Sequence, residues 1–96
     1  MQRTEKYYEA DAFRREATGR ILAVEPGKTG GKLALDGTVF YPEGGGQPAD
    51  RGTLTLADGT VLHVTDVHES EGVIWHTVDA PVSYTHLRAH ETRGNL

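Results

Sequence analysis

With 96 residues the chain has room for one domain, and a domain of this size buries only about 60 to 65% of the surface that its unfolded form exposes. It has no cysteine, which excludes disulfides and thiolate zinc sites; with neither a signal peptide nor an apolar run of roughly 20 residues, a soluble cytoplasmic protein is expected. Ten basic residues against 14 acidic ones leave a formal net charge of −4, the wrong sign for a domain that grips nucleic acid through its phosphates.

In chain order, residues 5–15 fit a helical turn or an extended segment, since Tyr7, Tyr8 and Phe13 follow neither period. From Glu16 to Val24, Ala17, Gly19, Ile21 and Ala23 alternate with Thr18, Arg20, Leu22 and Val24, which predicts a strand ended by the Pro26–Gly31 stretch. The basic residues of this first third, Arg14, Arg15, Arg20, Lys28 and Lys32, are read as a solvated surface. A second strand is predicted from Lys32 to Tyr41 with a bend at Asp36-Gly37, followed by a loop over Pro42–Pro48. Thr53–Leu56 and Thr60–Val67 flank Ala57-Asp58-Gly59, the clearest hairpin signal in the chain. A further hairpin joins the strand ending near His68 to Val73–Val78 through Glu69-Ser70-Glu71-Gly72. About five short strands at this spacing predict an all-β fold, a small antiparallel barrel whose closure removes exposed edges.

Three successive glycines lose much backbone freedom on ordering, so they are kept for a turn or for close approach of backbone to a ligand. A Gly-Gly-Gln tip braced by Pro42 and Pro48 can offer N–H groups and a neutral amide to an ester carbonyl or a ribose, although by composition alone a plain turn is the preferred reading. On the strand reading His76 shares a face with Ile74 and Val78, and His63 with Val61 and Thr65; both are expected on the surface or at the barrel rim. Trp75, on the opposite face, is expected to pack in or against the barrel.

The run from Leu35 to Leu54, centred on Phe40-Tyr41-Pro42-Glu43-Gly44-Gly45-Gly46-Gln47-Pro48, resembles the signature of AlaX-type alanyl-tRNA editing proteins and of the matching editing region of alanyl-tRNA synthetase. Tyr7-Tyr8, Val67, Gly72, Ile74-Trp75-His76 and Asp79 extend the similarity over about residues 5 to 80, the N-terminal, translation-protein-like barrel of that family. The resemblance implies hydrolysis of Ser-tRNA(Ala), and in some members Gly-tRNA(Ala). An alanine site rejects a hydroxyl-bearing isostere only by a factor on the order of 10², so a second, hydrolytic site must correct the error. It further implies a zinc ion in the full-length parent, tRNA(Ala) as partner, and a barrel hydroxyl that recognises the serine. The matching position is Thr38, with Gly44, Gly45, Gly46 and Gln47 lining the neighbouring loop as substrate-binding candidates and no catalytic residue in this chain. Gly37 departs from the basic residue usual in the family at that point.

The family's zinc ligands lie in a second domain, and only about seventeen residues follow Asp79. His86 and His90 stand at i and i+4, the spacing of a zinc helix, but a third ligand and the surrounding apolar residues are lacking, so no metal is expected to bind here. The segment from Val82 to Thr92 resembles the translation of sequencing-adapter read-through, which sets the expected organisation: a barrel over residues 1–81 and a non-native or disordered tail over 82–96. The start, with Tyr7-Tyr8 close behind Met1, matches a freestanding editing protein. The chain by itself is expected to be inactive. Three rival readings stand beside this one: a release-factor-like hydrolase, a non-catalytic tRNA- or synthetase-associated barrel, and the editing region of a synthetase.

Overall fold

The computed structural model describes residues 3–11, 14–27, 30–44, 46, 48–82 and 91–96. Its elements are β1 (Glu5–Lys6), α1 (Tyr7–Ala10), β2 (Glu16–Glu25), β3 (Gly31–Leu35), β4 (Gly37–Thr38), β5 (Gly52–Leu56), β6 (Val61–Ser70), β7 (Val73–Val78) and β8 (Glu91–Asn95). Six of the strands pair antiparallel in the order β2-β3-β7-β6-β5-β8, and β8 returns to β2, so the sheet closes as a barrel. β1 and β4 form a separate parallel pair. The all-β antiparallel architecture is the one expected. Among the described residues no helix is long and apolar enough to cross a membrane.

Alternation alone would put Ala17, Gly19, Ile21 and Ala23 on one face of β2. The inward set instead runs Ala17, Ile21, then Val24. Opposite β3, Ile21 pairs with Leu35 and Ala23 with Ala34, leaving Leu22 as an extra residue. Such a bulge bends the strand and reverses which parity faces inward. The same device recurs in β6. Leu62 and Val64 point into the core before it, and Val67 after it, with Thr65 the extra residue between the pairs Val64–Val78 and Asp66–Thr77. β6 therefore serves β5 with its first half and β7 with its second.

The core these strands enclose includes Leu33, Leu35, Phe40, Leu54, Val67 and Ile74, each 2% exposed or less. The predicted second strand breaks where Asp36-Gly37 stands. Asp36 leaves β3 and ties itself to β2, its N–H donating to the Arg20 carbonyl at 3.0 Å and its Oδ1 accepting from the Arg20 N–H at 2.7 Å. Val39 and Phe40, beyond β4, enter the core without being in a strand.

The first residues form both structures that the sequence allowed, a two-residue strand and one helical turn. Thr4 anchors them: its backbone N–H donates to the Gly72 carbonyl at 2.9 Å, its hydroxyl donates to the Leu35 carbonyl at 2.5 Å and accepts from the Ile74 N–H at 2.9 Å. A half-exposed Lys6–Glu69 ion pair at 2.7 Å adds to this.

At the other end, Val82 is buried, its N–H and carbonyl paired with Gly27. Glu91–Asn95, expected in a non-native or disordered tail, is placed as the sixth barrel strand, paired to β2 along its whole length and to β5 from Thr92 to Asn95. Its inward positions are Thr92 and Gly94. Gly94 fits because a side chain there would meet Phe40 Cε1 at 3.0 Å and Leu54 Cδ2 at 3.5 Å. His86 and His90 lie outside the described residues.

Both predicted hairpins form. The β6–β7 connection is a two-residue loop in which Glu71 and Gly72 both take positive φ, 53° and 81°, the conformation of a type I′ turn. Glycine tolerates this freely and glutamate does not, whereas asparagine is among the residues that turn prefers. Replacing Glu71 by Asn should therefore stabilise the chain by up to about 1 kcal/mol. The check is a higher urea midpoint at unchanged m value; a lower midpoint would mean that the Glu71 side chain contributes more than its backbone conformation costs.

Candidate functional site

Thr38 sits in β4, 2% exposed, held by the parallel pairing of Lys6 with Thr38. Its hydroxyl makes two hydrogen bonds, to His76 Nε2 at 2.8 Å and from the Phe40 N–H at 3.0 Å. His76, expected on the surface or at the rim, is instead fully buried. The alternation of β7 turns Ile74, His76 and Val78 inward, and β7 lies between β3 and β6, so His76 pairs across to Leu33 on one side and Val67 on the other. Trp75, on the other face, is half-buried. Phe40 lies edge-on to the imidazole, centroids 5.3 Å apart at 84°.

The second ring nitrogen, Nδ1, is 3.1 Å from the Leu33 carbonyl oxygen. A carbonyl can only accept, so Nδ1 carries the proton of the neutral ring and Nε2 is the acceptor. Burial lowers the His76 pKa from 6.5 to about 4, opposed by the Leu33 hydrogen bond and assisted by the charge on His68. A neutral, doubly bonded imidazole is what an apolar interior demands of a histidine. One feature would have marked it in the sequence: apolar neighbours at i−2 and i+2 on the strand.

The described residues of the glycine loop lie outside the barrel strands. Asp50 pins its start: its carboxylate accepts from the Tyr41 N–H at 3.0 Å and its own N–H donates to the Tyr41 carbonyl at 3.0 Å. The Glu43 N–H donates to the Val67 carbonyl at 3.0 Å, and Pro42 is buried. Tyr41, 48% exposed, stands edge-on to Tyr8 with centroids 4.9 Å apart. Partial burial, then the charge of Glu69, raises the Tyr8 pKa to about 12, so the phenol stays protonated.

Gly44 and Gly46 are exposed, and a side chain at either would meet nothing within 4 Å. Gly46 has φ of 83°, which glycine adopts without strain. Packing against the described residues therefore does not explain Gly44. Gly45 and Gln47 lie outside the described residues. The structure thus separates the sequence-derived candidates: Thr38 is inside the barrel, and the two described glycines are on the surface.

No group of three His, Asp or Glu side chains suited to a metal occurs among the described residues. His76 has both nitrogens engaged. The described residues therefore do not fit a zinc ion.

The family model described as tRNA synthetases class II (A) matches residues 6–89. The chain is 48% identical over 80 residues to the alanine–tRNA ligase of Halorubrum lacusprofundi, covering 83% of this chain and 8% of the ligase. It is 42% identical over 82 residues to the alanyl-tRNA editing protein AlaX-M of Pyrococcus horikoshii, covering 84% of this chain and 34% of that protein. The alanine–tRNA ligase of Caldivirga maquilingensis is 46% identical over 77 residues. The chain thus spans less than a tenth of the ligases and about a third of the editing protein.

The depressed His76 pKa makes stability depend on pH in a definite direction. The unfolded chain takes up the proton near pH 6.5 and the folded chain only near pH 4, so the contribution is complete above 6.5 and is lost as pH falls from 6.5 to about 4. The shift corresponds to a loss on the order of 3 kcal/mol. In urea denaturation at pH 7.5 and 4.5, the unaltered chain should lose about 2 to 3 kcal/mol more than a His76→Gln variant, which cannot titrate there. Equal losses would mean that the imidazole is not buried and neutral.

Proposed function

The chain belongs to the class II (A) tRNA synthetase family, and from that membership we propose that it forms the substrate-facing barrel of an alanyl-tRNA editing hydrolase, acting on Ser-tRNA(Ala) or Gly-tRNA(Ala). The observation that carries this reading is the exposed glycine loop, anchored through Tyr41, Glu43 and Asp50, whose Gly44 and Gly46 leave bare backbone with open space above it. An aminoacyl ester can approach such backbone closely, and N–H groups there can take up charge developing on its carbonyl oxygen. Gln47 acts as a positioning amide beside Gly44, Gly45 and Gly46, and Thr38 supplies the hydroxyl that recognises serine.

The water-activating chemistry is assigned to residues outside this chain, since its described side chains do not fit a zinc ion. The net charge of −4 assigns most of the grip on tRNA(Ala) outside it as well. A place in the cytoplasm follows from work on charged tRNA. That same charge also favours a second reading, a non-catalytic barrel that docks on a synthetase.

An assay of Ser-tRNA(Ala) deacylation separates these. The 96-residue chain should be inactive. The chain joined to the downstream region of AlaX-M should hydrolyse the ester and lose that activity on treatment with a zinc chelator. Chelator-insensitive hydrolysis by the 96-residue chain would overturn the assignment of the chemistry, and an inactive joined protein that still binds a synthetase would favour the docking reading.

A further inference from the structure

We infer that the slot between β2 and β5 is an exchange site for a second copy of this chain: residues Glu91–Leu96 of each copy take the place of the same residues in the other, joining two barrels reciprocally. The inference is independent of the proposed function and rests on how β8 is held.

Among the described strands, β2 and β5 are joined in the ring through β8 alone. With β8 out of place, each presents an open edge, and an open edge pairs with any strand that fits it. Little side-chain burial is lost on departure, because the inward residues of β8 are Thr92 and Gly94. Leu96, just beyond the strand, acts as its latch: it packs in part against the core, and its N–H donates to the Arg15 carbonyl at 2.9 Å. Val82 keeps its own bridge to Gly27, independent of β8. The eight residues between Val82 and Glu91 can span at most about 28 Å, so the strand can leave one slot and enter another while that bridge holds.

The slot does not suit every strand. A side chain in place of Gly94 would meet Phe40 Cε1 at 3.0 Å and Leu54 Cδ2 at 3.5 Å, and one in place of Gly52 on β5 would run into the Asn95 carbonyl. The Thr92 hydroxyl donates to the Thr55 carbonyl at 3.2 Å, and Arg93 meets Glu16 at 3.2 Å. These fits match Thr92-Arg93-Gly94-Asn95 itself, and a second copy of the chain carries that segment unchanged. Every contact broken within one copy is remade between two. The exchange therefore costs little beyond the entropy of association, which rising concentration offsets.

Thr55 and Arg93 are direct partners on the outer face, and residues so placed lie about 4.5 to 5.5 Å apart, within reach of a disulfide. The chain has no cysteine of its own, so Thr55→Cys with Arg93→Cys reports on this contact alone. By light scattering, the unaltered chain should rise from 10.5 kDa in the micromolar range to twice that mass near millimolar; a monomer throughout would overturn the exchange. Oxidised while dilute, the double-cysteine chain should be locked within one copy and stay monomeric when concentrated. Oxidised after concentration, it should run as a covalent dimer on a non-reducing gel. Dimers that form from chains already locked, or that oxidise only within each copy, would put the interface elsewhere on the surface and overturn the exchange. An equal yield of covalent dimer from either single-cysteine chain would do the same, since the exchanged contact needs both positions.

Discussion

A six-stranded sheet can close on itself only if some strands turn corners, and in this chain the corners are two single-residue insertions, at Leu22 and Thr65. Each lets one strand serve two differently oriented neighbours. β2 keeps Ala17 and Ile21 inward before its corner and Val24 after it; β6 does the same with Leu62, Val64 and Val67. Without the switch in parity, half of each strand would present polar residues to the core. The inward line of β7, which contains His76, is thereby enclosed by Leu33 on one side and Val67 on the other.

The barrel interior is not purely apolar, and three of its buried polar residues, Thr4, Thr38 and His76, follow one pattern. Two threonine hydroxyls, Thr4 and Thr38, each both donate and accept, and each is bonded to groups on β7, in one case the Ile74 backbone and in the other the His76 ring. The β3 carbonyls of Leu35 and Leu33 complete the two sets. Among the described residues no buried side-chain nitrogen or oxygen lacks a partner. Satisfied networks of this kind narrow the arrangements open to a small core, because a shift in register would orphan several groups at once. The N-terminal segment is thus tied to the same two strands, β3 and β7, that supply His76 and its Leu33 partner.

Much of this was legible in the residues. Hairpin turns are local, so Asp58-Gly59 and Glu71-Gly72 declare themselves, and the Asp36-Gly37 bend coincides with the true end of β3. The glycine loop was recognisable by composition and by resemblance. The parity switches were not, because an inserted residue has meaning only against a partner strand. Alternation grouped Ile74, His76 and Val78 correctly on one face, yet the polarity of imidazole argued for the outside of the barrel. What overrides that preference is Thr38, 38 positions away, together with a carbonyl on β3. Long-range pairing of this kind leaves no local trace. For the same reason the parallel contact of β1 with β4 was not foreseeable.

The strand that completes the ring, Glu91–Asn95, sends into the core only a hydroxyl-bearing residue and a glycine. Its attachment is therefore almost wholly main-chain, with Thr92 donating to the Thr55 carbonyl and Arg93 meeting Glu16 at the surface. Every other wall of the barrel is held by interlocking apolar side chains as well. A container whose walls differ in this way opens at its seam, and the free energy of that opening is set by exchangeable amide bonds rather than by buried hydrocarbon. The seam is thus the part of the barrel least dependent on its own side chains.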